Sequence, residues 1–538
     1  MENPKEKIYS ILKEIALELG VSEVNFLVEK PKDASHGDFS ANIAMTLGKS
    51  LKKNPLELAR EIVKKIGSSN SEFDKIEAAV PGFINFYFSP KYLQSQAQNI
   101  IEEGNGYGSL TLGKGKKASV EFVSANPTGP LHVGNARGGP LGDSIANVLA
   151  KAGYAVTREY LHNDVGGQVE RLGESIYFEI HPDQKAENYE IQYQGSYIKE
   201  LAQTVKEQME ETQEDLTQEQ FIESAGKIAV ELMLTEILKD CEDMGIKYDV
   251  VRKESDLRKE VPQILEKVKQ SLKEKDGALW FAPQDEFLKD RETVVKKTDG
   301  DFTYFASDIV YHAEKMGRND LIIDVFGANH YGHVPRLKAV VKALGYDPEM
   351  LRAVLYQWVR LKRGEEIIQM SKRAGNFVTA REVLDEVGKD AFRFFLLTPR
   401  SQTHMDFDLE LAKKKASDNP VFYVQYAYSR ICSIFKKAPV TDSQADLSLL
   451  KTPEEIELIR HLLKLPHLIE ESVETLEVNP LTTYALEIAN LFHRFYEKQT
   501  VISNDEKLTQ ARLALLKATQ ITLKNTLDLL GVSAPERM

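Results

Sequence analysis

Two short clusters of residues have the types and spacing to handle a phosphorylated substrate. The first is Pro130-Leu131-His132-Val133-Gly134-Asn135, standing between a run with strand character and a run with helical period. Such a junction offers unpaired N–H groups and the positive end of a helix to phosphate oxygens. Gly134 leaves room for a nucleotide to approach the backbone, and His132 carries an N–H donor for a phosphate. The second is Gln369-Met370-Ser371-Lys372-Arg373-Ala374-Gly375-Asn376, in a loop after the last strand candidate. Lys372 is there a mobile point charge suited to a leaving pyrophosphate. Either cluster alone is weak, because short strings recur by chance. One follows the first strand of a sheet and the other its last, and that joint placement is far more specific.

Other candidates weigh less. Gly108, four residues and then Gly113-Lys114 imitate the start of a Walker A loop. Gly115 stands where a Ser or Thr would hold magnesium, and ASVEFVSA, which follows, reads as a strand where a P-loop must open a helix. The segment is a linker. His330 and His333 form an HxxH without an HExxH, an EF-hand or a cysteine set, so no metal site is expected. The two cysteines, Cys241 and Cys432, are far apart, which excludes a disulfide framework and a cysteine zinc site. His162 reads as a wall of a site, not as a ligand.

The elements that must position these residues follow from pattern. Ser119–Ser124 is a strand candidate, followed by the turn NPTGPLHVGN and a helical run carrying Ile145, Val148 and Leu149. Gly153 closes that helix and Tyr154–Leu161 reads as a second strand, giving a βαβ unit of a doubly wound parallel sheet. Residues 174–290 are charged and helical in period, without turn-rich strands, and read as helical insertions. Strand runs return at Leu321–Gly327 and Ala353–Leu361, separated by a helix near Val334–Leu344, as the second half of a split nucleotide-binding sheet. Upstream, NPLELAREIVKKI begins with a cap-like Asn54-Pro55 pair, and INFYFS at 84–89 follows the turn signal Pro81-Gly82. Beyond about residue 400 the chain is helical, with Leu513, Leu516, Leu523, Leu527 and Leu530 on one buried face. The expected fold class is α/β: a Rossmann-type parallel sheet at 111–415, an α+β domain at 1–110 and an all-α bundle at 416–538.

A chain of 538 residues predicts several domains, and 42% hydrophobic with 28% charged residues excludes disordered and fibrous classes. The first residues, MENPKEKIYSILKEIALEL, read as an amphipathic helix and not as a signal peptide, and no apolar run is long enough to span a bilayer. These features predict a cytoplasmic protein with no membrane partner. Net charge is −13, which argues against nonspecific nucleic-acid binding but leaves local basic clusters such as Lys413–Lys415.

The two clusters resemble the HIGH and KMSKS signatures of class I aminoacyl-tRNA synthetases. The flanking segments VEFVSANPTGPLHVGNARG, YLHNDVGGQ, TYFASDI and MSKRAGN, the amino-terminal HGDFSANIA and the closing PERM are similar to bacterial-type arginyl-tRNA synthetases. Departures are small. Asn135 stands where the first signature has a second His, and Gln369 and Arg373 where the second has Lys and Ser.

That resemblance implies activation of L-arginine with ATP and transfer to the terminal adenosine of the tRNA for arginine, with Mg2+ accompanying ATP. It implies ATP contacts at Pro130, His132, Gly134, Asn135, Met370, Ser371 and Lys372, with His132 and Lys372 the catalytic pair. By the same resemblance Glu121, Ser124 and Asn126 line the α-amino and carboxylate side of arginine, Tyr304 and Asp308 face its guanidinium, and His330 adds a polar contact. A guanidinium, a planar fork of N–H donors, calls for such carboxylates. The resemblance makes 1–110 an addition that touches the tRNA elbow and the last bundle an anticodon binder, with Tyr423 and Tyr426 as stacking candidates. A monomer is expected. Alternatives are a class I synthetase for another polar amino acid, with which Glu121 and Asp308 disagree, and a catalytically silent tRNA-binding paralogue.

Overall fold

A computed structural model of the chain describes residues 4–31, 33–67, 71–185, 189–212, 216–288, 291–368, 378–438 and 445–538. The chain forms two compact units, one of residues 1–107, 430–464 and 488–523, the other of 108–429, 465–487 and 524–538.

In the first unit, a four-stranded antiparallel sheet runs in the order 28–29, 39–41, 83–88, 73–79. Helices Pro4–Glu18, Ile43–Leu51 and Pro55–Ile66 cover it through a core that includes Leu12, Leu47, Ile62 and Phe86. Asn54 caps the third helix, its Oδ1 accepting from the N–H groups of Leu56 and Glu57, with Pro55 in the first turn. Further helical segments of this unit pack on the amino-terminal residues. Buried Gln94 Nε2 donates to the Leu450 carbonyl and the Tyr107 hydroxyl to that of Leu462, both at 2.8 Å.

The second unit holds a five-stranded sheet, parallel throughout. Its strands are β1 (Lys117–Glu121), β2 (Ala155–His162), β3 (Val250–Lys253), β4 (Leu321–Gly327) and β5 (Leu351–Tyr356), in the spatial order 3-2-1-4-5. Ala118, Val120, Ile322 and Ile323 are wholly buried, as central parallel strands require. The order reverses between β1 and β4, and the crevice beyond the carboxyl ends of strands at such a switch point is where ligands bind. Helices α1 (Val133–Ala136) and α2 (Gly138–Lys151) follow β1, α3 (Tyr304–Arg318) precedes β4, and α4 (Val334–Ala343) precedes β5.

Two stretches differ from the sequence pattern. The insertion contains strands as well as helices. Val250–Lys253 joins the sheet edge as β3, and Leu272–Lys275 and Ala278–Phe281 form a hairpin that pairs onward with Thr293–Lys296. The hairpin turns on Asp276 (φ 52°) and Gly277 (φ 75°), the left-handed pair that a two-residue turn between twisted strands demands. The run Ala353–Leu361 is two strands: β5 ends at Tyr356, and Val359–Arg363 leaves to pair with Met405–Asp408. The break is held by buried Arg137, whose guanidinium donates to the carbonyls of Gln357, Thr403 and Arg400, each at 2.8 Å. Burial pulls its pKa down to about 10.

Candidate active site

The turn after β1 is built from its own backbone. Val123 (φ 67°) and Ser124 (φ 36°) both occupy the left-handed region, strain of the kind that clusters at functional sites. His132 then caps α1: its Nδ1 accepts from the N–H of Gly134 at 2.9 Å and from that of Asn135 at 3.3 Å. With Nδ1 an acceptor, the neutral ring carries its proton on Nε2. Those two N–H groups are thus taken by the imidazole, and the ring's Nε2–H is the donor that the cap leaves to this turn. Gly134 is needed for the same reason, since a Cβ there would lie 2.7 Å from His132 Cε1. Across the turn, the Ala380 N–H donates to the Leu131 carbonyl at 2.6 Å, and His132 bridges Thr379. The carboxyl-side neighbours of the second cluster are therefore joined to the first. Met370, Ser371 and Lys372 lie outside the described residues.

A cleft of about 920 Å³ opens at the switch point. Glu121, Ser124, Asn126, His132, Asn135, Tyr304, Asp308 and His330 all line it; Pro130, half-buried, and Gly134, buried, do not. Tyr423 and Tyr426 belong to the separate helix Pro420–Lys437, where exposed Tyr426 stacks on Phe422 at 6.3 Å and Tyr423 is half-buried.

Helix α3 forms one wall. Its residues 304, 308, 311, 312 and 315 recur at spacings of three and four, so they share a face, and on this helix that face is polar. Tyr304 is 45% exposed at the rim. Asp308 is only 4% exposed, and its Oδ2 accepts no hydrogen bond among the described residues. His333 Nε2 lies 3.3 Å from that oxygen, within ion-pair distance but without hydrogen-bond alignment. Burial lowers the His333 pKa, but the Asp308 carboxylate outweighs it and the net shift is upward. His330, stacked on Phe326 at 5.5 Å, is shifted down by burial and by neighbouring His333. Asn126 accepts from Asn163 Nδ2 at 2.8 Å, and Trp358, 62% exposed, also lines the cleft.

Beneath the cleft lies a set of groups of which sequence reasoning singled out only Glu121. Glu159, Glu121 and Asp324 face one another in register across β2, β1 and β4. Lys315, wholly buried, donates to Glu121 Oε2 at 2.8 Å and Asp324 Oδ1 at 2.6 Å. Burial tends to neutralise Lys315, but the carboxylates around it hold its pKa above the usual lysine range. Asp324 is held far below the usual carboxylate range, against its burial, by Lys315 and His312, whose Nε2 lies 2.9 Å away. Glu121 moves the other way, because desolvation outweighs Lys315 and Asp324 repels. Part of the signal was available: Asp324 interrupts the apolar run of β4, Glu121 ends that of β1, and Lys315 continues the polar face of α3.

Among the described residues no group of three or more His, Cys, Asp and Glu is placed to hold a metal ion, and no helix is long and apolar enough to cross a membrane.

The sheet order and the turn after β1 define the class. Residues 96–406 match the family model described as tRNA synthetases class I (R), catalytic domain. Residues 2–88 match the arginyl tRNA synthetase N terminal domain, and 424–538 the DALR anticodon binding domain. The chain is 42% identical over 534 residues to an arginine–tRNA ligase of Carboxydothermus hydrogenoformans, covering 96% of this chain and 95% of that one. It is 44% identical over 525 residues to one of Geobacter sp., covering 95% and 94%. The structure of a Thermus thermophilus arginyl-tRNA synthetase shares the fold, with a TM-score of 0.80 over 99% of this chain and 100% of that one, at 24% identity. The chain belongs to the arginyl-tRNA synthetase family.

Proposed function

We propose that the cleft at the β1/β4 switch point holds L-arginine and ATP side by side and that its residues divide the work. The enzyme is a ligase that charges tRNA with arginine. Asp308 and Tyr304 take the guanidinium, Glu121, Ser124 and Asn126 the α-amino and carboxylate end, and His330 closes the wall. His132, through its Nε2 proton, and Asn135 hold ATP, with Pro130 and Gly134 shaping the turn. Met370 and Ser371 carry Lys372 to the phosphates, and Mg2+ arrives with ATP as its counter-ion. The arginine carboxylate oxygen attacks the α-phosphorus, the bond to the bridging oxygen breaks and pyrophosphate leaves, its charge met by Lys372. A hydroxyl of the terminal adenosine of tRNA then attacks the activated carbonyl, and AMP departs. Positioning and fixed charge carry both steps, with no enzyme-bound covalent intermediate. Tyr423 and Tyr426 contribute to anticodon binding, and the enzyme works as a cytoplasmic monomer.

The observation that carries the arginine assignment is Asp308: a buried, cleft-lining carboxylate whose Oδ2 has no hydrogen bond among the described residues and whose nearest cation candidate, His333, stands 3.3 Å away without alignment. A guanidinium supplies both a permanent charge and the two aligned N–H donors that such an oxygen lacks. Arginine-dependent ATP–pyrophosphate exchange, with and without total tRNA and against glutamine, glutamate and lysine, tests the reading. Exchange with arginine alone supports it. No exchange with arginine under either condition, from folded protein, overturns it in favour of a silent RNA-binding role or another substrate.

A further inference from the structure

Three carboxylates abreast in a parallel sheet is a costly arrangement, since like charges directly opposite repel and buried charges must be paired. Each has a different settlement. Glu159 is enclosed: Ser119 Oγ donates to it at 2.5 Å, the Tyr311 hydroxyl at 3.0 Å and Arg318 at 2.7 Å. Asp324, wholly buried, is held by Lys315 and His312. Glu121 is the one of the three that lines the cleft, and it shares its cation, Lys315, with Asp324. Its Oε2 faces Lys315 and its Oε1 accepts from Ser124 Oγ at 2.9 Å, so both oxygens are fixed from behind. Ser124 Oγ is itself fixed by accepting from the Leu161 N–H at 3.0 Å, on a backbone held at positive φ.

We propose that Lys315, which does not line the cleft, is a positioning residue for arginine: it holds the Glu121 carboxylate ionised and in one orientation while sharing its charge with Asp324, so that Glu121 keeps enough negative charge to receive a cationic amino acid. The inference rests on the assignment of arginine to this cleft. One lysine against two carboxylates leaves a deficit of positive charge, and the deficit faces the cleft through Glu121. The groups around Glu121 are Lys315, His312, Tyr311, Tyr304 and Asp308 on α3, Asp324 on β4 and Glu159 on β2 with its partner Arg318. Of these, Lys315 is the cation in direct contact. Without it, desolvation and the neighbouring Asp324 carboxylate drive Glu121 to the neutral acid at a higher pH.

The test is steady-state aminoacylation with the full chain, varying arginine and ATP separately from pH 6 to 9. Lys315→Met raises the arginine KM about tenfold to a hundredfold, the range for one charged hydrogen bond, and leaves the ATP KM within about twofold. The pH below which arginine binding weakens moves up in that variant by at least about one unit. In a Glu121→Gln background Lys315→Met adds little, because the two act through one carboxylate. Arginine and ATP KM rising together, or full additivity with Glu121→Gln, overturns the proposal. If Lys315→Met does not fold, Asp324→Asn leaves the charge of Lys315 to Glu121 alone. An arginine KM raised with the ATP KM unchanged then supports the proposal, and an unchanged arginine KM overturns it. A wild-type enzyme that does not use arginine at all refutes the substrate assignment, whereas a normal wild type with an indifferent Lys315→Met refutes only the role of Lys315.

Discussion

The two sides of the cleft are assembled in opposite ways. The cap in the turn after β1 is local: a histidine caps the helix it leads into and a glycine makes room for the ring, contacts that lie within three residues, while Thr379 and Ala380 only tie the edge of the turn. The wall and floor beneath α3 are nonlocal: Lys315 meets Glu121 across 194 positions and Tyr311 meets Glu159 across 152. Local geometry orients a phosphate without needing net charge. A cationic substrate needs a field, and a field inside a protein needs carboxylates that several elements keep ionised together. The comparison predicts that damage to the turn lowers turnover and that damage to the α3 side raises the arginine requirement.

The largest expected effects belong to the phosphate side. Lys372→Ala and His132→Ala each lower aminoacylation about a hundredfold, the loss seen when one preorganised charge contact is removed. Melting temperature stays near the wild-type value for Lys372→Ala, and rapid-quench measurement of adenylate formation places the loss in the first step. Near-normal turnover in either variant would break the division of labour at its root.

Asp308→Ala comes next and tests the other side. The arginine KM rises about tenfold to a hundredfold, while the ATP KM changes by less than about threefold. Equal changes in both would remove Asp308 from the amino-acid pocket. Gly134→Ala sharpens the contrast, because its new Cβ must push the His132 ring from its place. The expected result is about a tenfold loss in kcat with the arginine KM unchanged, since an off-rotamer ring is displaced from phosphate and not from the amino acid.

What the sequence made legible follows the same division. The cap at Asn54, the strand Leu321–Gly327, the leucine face of the last helix and the turn at His132 each depend on neighbours in the chain, and each is found where its pattern places it. The hairpin at Asp276-Gly277 was equally local, and its signal was overridden by the helical period around it. The break at Gln357-Trp358 was not legible, because the group that imposes it, Arg137, is 220 positions away. The same holds for the floor of the cleft. Glu121 and Asp308 stand out as charges in apolar or helical runs, but nothing short of the fold brings Lys315 between Glu121 and Asp324.

The smallest expected effect concerns pH. His333 pairs with Asp308 and has its pKa raised above the ordinary histidine value. A raised histidine contributes stability that is fully present below its unfolded pKa and is lost as pH rises through the raised folded value. For substrate the sign is reversed. The imidazolium occupies the charge of Asp308 that the guanidinium needs, so arginine binding strengthens as pH rises through the same range and His333 gives up its proton. Isothermal titration of arginine between pH 6 and 8.5 should show about a threefold change from this pair of a half-buried imidazole and a buried carboxylate, in line with the modest worth of an ion pair that lacks hydrogen-bond alignment. His333→Gln removes that component, and any acid-side weakening that persists in the variant then belongs to Glu121. A His333→Gln enzyme with the wild-type pH profile would mean that Asp308 meets the guanidinium without competition, and that the α3 wall answers to Lys315 alone.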